Sequence, residues 1–187
     1  AVLYMRMPET VGIQPSDFQQ FNPFYVVALT PVSLAIFGAL AKKGKEPSSP
    51  MKIGLGMLVA ASAFVILLVG SMGLVSPVEQ KAALEAGTAT LVSPNWLIST
   101  YLVLTVAELL LSPIGISFVS KVAPPKYKGL MMGGWFVATA IGNYLINIPG
   151  MLWDNTELYV VWGILIAICI VSAIFIFSIL KRLEAVA

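Results

Sequence analysis

Thr105-Val106-Ala107-Glu108-Leu109-Leu110-Leu111-Ser112-Pro113-Ile114-Gly115 places one carboxylate and one proline inside an otherwise apolar stretch of helical length. It belongs to an apolar run from Trp96 to about Val119, long enough to cross a hydrocarbon layer about 30 Å thick. At 1.5 Å per residue Glu108 lies roughly 18 Å from Trp96, close to the middle of that layer. A carboxylate at that depth costs about 2.5 kcal/mol or more to insert, so it is expected to face a bundle interior or a watery cavity. Pro113 has no N–H and leaves the Leu109 carbonyl, beside Glu108, without its helical partner. The plain alternative is that Glu108 only hydrogen-bonds a neighbouring helix and holds a bundle together.

Composition points the same way. Of 187 residues 58% are hydrophobic and 11% charged, and the mean hydropathy is +0.91. A soluble domain needs far more charge at its surface, so the expected class is an all-α integral membrane protein. The net charge of +2 gives no sign of a nucleic-acid partner. With no His and only Cys169, no disulfide framework or metal-ligand spacing exists. The sequence offers no nucleophile with a base and no paired carboxylates at mid-membrane, so no enzyme and no bound cofactor is expected.

Five spans are predicted, at about 18–41, 53–74, 96–119, 130–153 and 158–180. The first carries Gln19, Gln20 and Asn22 near its start, with Pro23 and Pro31 expected to break it twice. The carbonyls so released need partners from protein or cavity water. Asn22, standing before a proline, is either a helix cap or a polar cavity group. The 53–74 span is plain, and its Gly54, Gly56 and Ala60 suit close helix packing. Ser76-Pro77-Val78-Glu79 reads as the capped start of a short surface helix in the 75–95 link.

The 130–153 span has two faces. Gly134, Ala138 and Gly142 form a small-residue stripe suited to close helix approach. Trp135, Thr139, Asn143 and Asn147 form a polar stripe beside it. Cross-helix bonding is the expected role of Asn143 and Asn147, whereas Trp135 and Thr139, nearer mid-membrane, are cavity candidates. The 158–180 span is wholly apolar and is expected to face lipid. The 18–41, 96–119 and 130–153 spans should therefore line a cavity, with the other two outside them.

Nine Lys and Arg residues fall on one side of these spans, in the 42–52 and 121–128 turns and the tail. Only Arg6 and Lys81 fall on the other. By the positive-inside rule the nine are cytoplasmic, and so is the C-terminus. Residues 1–17 read as the end of a preceding helix and an external loop, without a signal peptide. An external start and an odd number of spans lead to the expectation that preceding helices are missing.

A family resemblance rests on these residues in order. Glu108-Leu109-Leu110-Leu111-Ser112-Pro113-Ile114-Gly115, Ala123-Pro124-Pro125, Gly129-Leu130-Met131-Met132-Gly133-Gly134-Trp135-Phe136 and Ala140-Ile141-Gly142-Asn143 resemble the tenth and eleventh helices of proton-coupled oligopeptide transporters. Phe18-Gln19-Gln20-Phe21-Asn22-Pro23 resembles the start of that family's eighth helix. The resemblance implies five transmembrane helices forming most of the C-terminal six-helix bundle of a major facilitator superfamily transporter. It covers nearly the whole chain, as helices eight to twelve with the outer end of helix seven.

The family imports di- and tripeptides across the cell membrane by alternating access, with protons as coupling ion. The resemblance implies that Glu108 pairs with a peptide's amino terminus, Asn22 contacts its backbone and Trp135 lines a side-chain pocket. Thr139 stands where many relatives have a serine, and Ser112 is a further pocket candidate. The family's first-helix acidic and basic motif, fourth-helix lysine and seventh-helix acid are absent from this sequence. The chain is thus expected to need an N-terminal helical bundle, in the same or a second chain, to transport. The competing readings are a same-superfamily carrier of another small solute, such as nitrate, and a non-transporting membrane scaffold.

Overall fold

A computed structural model describes residues 15–88, 92–153 and 156–185. Most of the expected 1–17 loop, and Asp154 and Asn155 between the fourth and fifth spans, lie outside them. The fold is all-α, with five helical stretches long and apolar enough to cross a membrane. Residues Pro15–Gln20 form a 3-10 turn that leads into α1, Phe21–Lys42. The second long helix, α2, is Ser49–Gly70, followed by the short α3, Pro77–Glu85. The Glu108 helix, α4, runs Asn95–Val122. The fourth span divides into α5, Lys128–Leu145, and α6, Asn147–Leu152, and α7 is Leu158–Glu184.

Helix α2 is the packing centre. A Cβ added to Gly54 would come within 2.9 Å of the Phe177 ring of α7. One added to Gly56 would come within 2.9 Å of Leu111 and 3.3 Å of the Ala107 carbonyl oxygen of α4. Residues two apart on a helix point to nearly opposite sides, so these two glycines let α4 and α7 press on α2 from opposite faces. In lipid such close approach supplies the dispersion contacts that hydrophobic burial supplies in water. At one end Phe18, Leu67, Leu74, Leu97, Leu158 and Trp162 pack into a buried cluster that ties the 3-10 turn to α2, α4 and α7. The outer side of α7 leaves Val171, Ile174 and Phe175 exposed, as a lipid-facing helix should.

The two flanking helices are held differently. Both α1 and α5 pack against α4, and neither buries a residue. The order across the molecule is therefore α7, α2, α4, with α1 and α5 flanking α4, so the plain spans do lie behind the pillar that carries Glu108.

Several boundaries differ from the sequence reading. Helix α2 starts and ends four residues earlier than 53–74. The Ser48 hydroxyl caps it by accepting from the Met51 N–H, and Pro50 sits in its first turn. Lys52, read as part of a basic turn, is instead inside α2 and only 7% exposed, ion-paired to Glu46 with its ammonium 4.3 Å from the centre of the Phe37 ring. Helix α7 runs four residues past 180, with Lys181 and Arg182 in its last turn, where positive charge complements the carbonyl end. Pro23 falls in the first turn of α1, at the junction with the 3-10 turn, and interrupts no established helix; only Pro31 lies in its interior. The capping box is present: the Ser76 N–H donates to Glu79 Oε2 and the Glu79 N–H to Ser76 Oγ.

Candidate binding site

Glu108, Ser112 and Gly115 recur at four and three residues, so they share one face of α4. Glu108 and Ser112 are exposed on that face and Gly115 is buried. From α1, the Asn22 side-chain amide donates to Glu108 Oε2 at 3.3 Å. The two residues are 86 positions apart, and the contact joins two of the expected site residues directly. Asn22 is not the cap of α1. It lies inside the first turn, after Gln20 at the capping position, which makes no side-chain cap bond.

Trp135 arrives from α5. Its ring lies against Gly115 so closely that an added Cβ there would meet Cη2 at 2.3 Å. Gly115 is two turns from Glu108, and Trp135 therefore sits on the same face as the carboxylate, farther toward the Lys-rich end. Gly115 was not among the expected site residues. Its signal was available in its spacing, seven residues after Glu108, with no side chain to hold an aromatic ring away.

Thr139 stands one turn beyond Trp135 on α5, exposed, and its hydroxyl donates to the Trp135 carbonyl at 2.9 Å. That hydroxyl keeps its lone pairs for a ligand but not its proton. The expected cross-helix bonding of Asn143 and Asn147 is not found. The Asn147 amide donates to the Tyr144 carbonyl at the break between α5 and α6, and Asn143 has no hydrogen bond among the described residues. Nor does another helix press on the small-residue stripe, since nothing lies within 4 Å of a Cβ at Gly134 or Gly142. No three His, Cys, Asp or Glu side chains converge among the described residues.

The arrangement is an open wall: a carboxylate held by an amide at one level, an indole seated two turns away, and hydroxyls between and beside them. Such a wall can receive a cation at Glu108 and apolar matter at Trp135. Comparison with known proteins identifies the family. A profile of the POT family matches residues 2–157. The chain belongs to the POT family.

As a POT family member it has named relatives. It is 31% identical over 175 residues to dipeptide and tripeptide permease A of Salmonella typhi, covering 83% of this chain and 32% of that protein. It is 37% identical over 133 residues to peptide transporter YePEPT of Yersinia enterocolitica, covering 71% of this chain and 24% of that one. Among solved structures, a POT peptide transporter in complex with sulfate superposes with a TM-score of 0.78 at 26% identity, over 97% of this chain and 34% of that one. The chain thus spans about a third or less of the length of the relatives it matches. It is a multi-pass membrane protein whose relatives are transporters.

Proposed function

We propose that this chain forms the substrate-recognising wall of a proton-coupled symporter that imports di- and tripeptides by alternating access. In that reading Glu108 holds the peptide's amino group, Asn22 orients the carboxylate and contacts the peptide backbone, and Trp135, Thr139 and Ser112 line the space for a side chain. The observation that carries the proposal is the Asn22 to Glu108 hydrogen bond on an open face of α4. An amide that donates to one carboxylate oxygen leaves the other free for an ammonium group, and the pair has no lysine or arginine partner among the described residues. The naming of the relatives as dipeptide, tripeptide and peptide transporters supports the substrate class.

No cofactor is required. Protons are the coupling ion of the proposed symport. An N-terminal helical bundle, in the same or a second chain, would close the other side of the cavity. The protein resides in the cell membrane with its C-terminus cytoplasmic, as the distribution of lysine and arginine favours.

A double cycle tests the proposal in the full transporter. Removing one partner of a desolvated, hydrogen-bonded charge pair costs about 2–5 kcal/mol, so Glu108→Gln should weaken peptide binding by roughly 30-fold or more. Acetylating the peptide amine should cost a similar factor in the wild type and far less in the variant. Equal losses in both backgrounds would place the amine elsewhere, and unaltered binding in Glu108→Gln would leave Glu108 a structural residue.

A further inference from the structure

On the side of α4 turned away from Glu108 lies a second cavity that the peptide site does not use. Val106, Leu110, Pro113 and Ser117 share that side by the helical repeat. Near the Lys-rich end, α1, α2 and α4 enclose a crevice of about 370 Å³. Its wall carries Lys52, Lys121 and Glu46, two positive charges against one negative. Ser33, Ser49 and Ser117 also line it, and among the described residues their hydroxyls have no hydrogen-bond partner. Lys52 is the built element. It is 7% exposed, and of its three ammonium protons Glu46 occupies one while the Phe37 ring faces the charge. Lys121, in the last turn of α4, has no ion pair among the described residues.

A second cavity adjoins it. A cleft of about 180 Å³ runs between α1 and α4 toward the middle of the span. Ser33, Phe37 and Leu109 line both spaces, while Leu29, Val32, Ile36, Val106 and Leu110 make the rest of the cleft wholly apolar. Val32 and Ile36 are half exposed, at 50% and 53%, so the cleft opens on the outside of the chain. A polar, net-positive crevice at the membrane boundary that continues into an apolar groove at membrane depth has the form of a headgroup with its acyl chain. Basic pockets between spanning helices on the cytoplasmic side are suited to acidic headgroups.

We propose that the α1–α2–α4 crevice binds an anionic phospholipid, its phosphate between Lys52 and Lys121 with the crevice serines as donors, and one acyl chain in the α1–α4 cleft. The crevice holds roughly a dozen waters' worth of space, enough for a phosphate with a small esterified alcohol. The charge selects acidic lipids over zwitterionic ones. The adjoining apolar groove selects a lipid over a free phosphate.

The test uses the full transporter, delipidated in detergent, with phosphatidylglycerol, phosphatidylcholine and soluble glycerol phosphate as probes. Thermal unfolding and native mass spectrometry give the response and the number bound. Phosphatidylglycerol should raise the melting temperature and remain bound as one retained lipid, while the other two probes do neither. Lys121→Gln, at an exposed position that should not disturb folding, should weaken the apparent affinity about five-fold, the share of one lysine near an acidic surface. Ser117→Leu, which fills the crevice, should abolish the retained lipid. An equal response to glycerol phosphate would overturn the lipid assignment, and an equal response to phosphatidylcholine would overturn the charge selection. A wild-type response in both variants would remove the site altogether.

Discussion

Gly115→Ala puts a methyl group where the Trp135 ring now lies. The new carbon would stand 2.3, 3.0 and 3.1 Å from Cη2, Cζ2 and Cζ3 of that ring. Carbon atoms rest about 3.5–4.0 Å apart, so the indole would have to withdraw by more than about 1 Å. Overpacking of this kind costs about 1–3 kcal/mol. Against that, alanine is about 1 kcal/mol better than glycine inside a helix. The net effect in the wild type should therefore be a loss of roughly 0–2 kcal/mol, and in a Trp135→Ala background a gain of up to about 1 kcal/mol. Unfolding of the full transporter in detergent, measured for both single variants and the double, gives the coupling between the two positions. A coupling of about 1–3 kcal/mol is expected. Peptide competition on the same variants reads the second consequence, because the displaced ring enters the space proposed for a side chain and should disfavour bulky peptides most. If Gly115→Ala shifts stability by the same amount with and without the tryptophan, the ring does not rest on α4, and this geometry of the side-chain pocket is wrong.

Other outcomes follow from contacts already described. Asn22→Ala should weaken peptide binding about ten-fold and less than Glu108→Gln does, since it removes one exposed hydrogen bond to a carboxylate, at the low end of about 1.5–3 kcal/mol; isothermal titration of both variants checks the order. Gly56→Val would force a side chain against Leu111 and the Ala107 carbonyl and should lower the melting temperature, whereas Gly134→Ala, with open space around it in the interior of α5, should raise it slightly. Ser48→Ala removes both the cap of α2 and the hydrogen bond to Glu184, and should cost about 1 kcal/mol or more of stability in chemical denaturation. In a Cys169→Ala background, a cysteine at position 85 should react with an impermeant thiol reagent in intact cells and one at position 45 should not; the reverse pattern would invert the proposed orientation.

The spans were legible because length and apolar composition are properties of contiguous residues. Glu108 was legible because one charge in such a run has no local explanation. The boundaries differ where a basic residue reads as the end of a span although it lies inside a helix. Lys52 looks like a turn residue until Glu46 and Phe37 close around it, although Ser48 and Pro50 carried a local start signal that outweighed the charge. Helix α7 was cut short at the first basic residue, whereas long basic side chains fit a helix's last turn. Nothing in either segment announces that Asn22 reaches Glu108; the resemblance placed both residues at one site, and only the fold shows them bonded to each other. Asn147 marks the limit of composition, since an asparagine within a span can as well satisfy its own backbone as a neighbour.

Because α1 and α5 bury no residue and are held by α4, the chain is graded in its resistance to local opening. Sites of low contact density open at a fraction of the global free energy. Asn22 and Trp135 stand on the easily opened units, and Glu108 on the one that α2 braces from behind. A solute that bridged all three would tie two loose staves to a fixed post, and amide exchange should slow first in α1 and α5, where low burial leads to the fastest expected exchange.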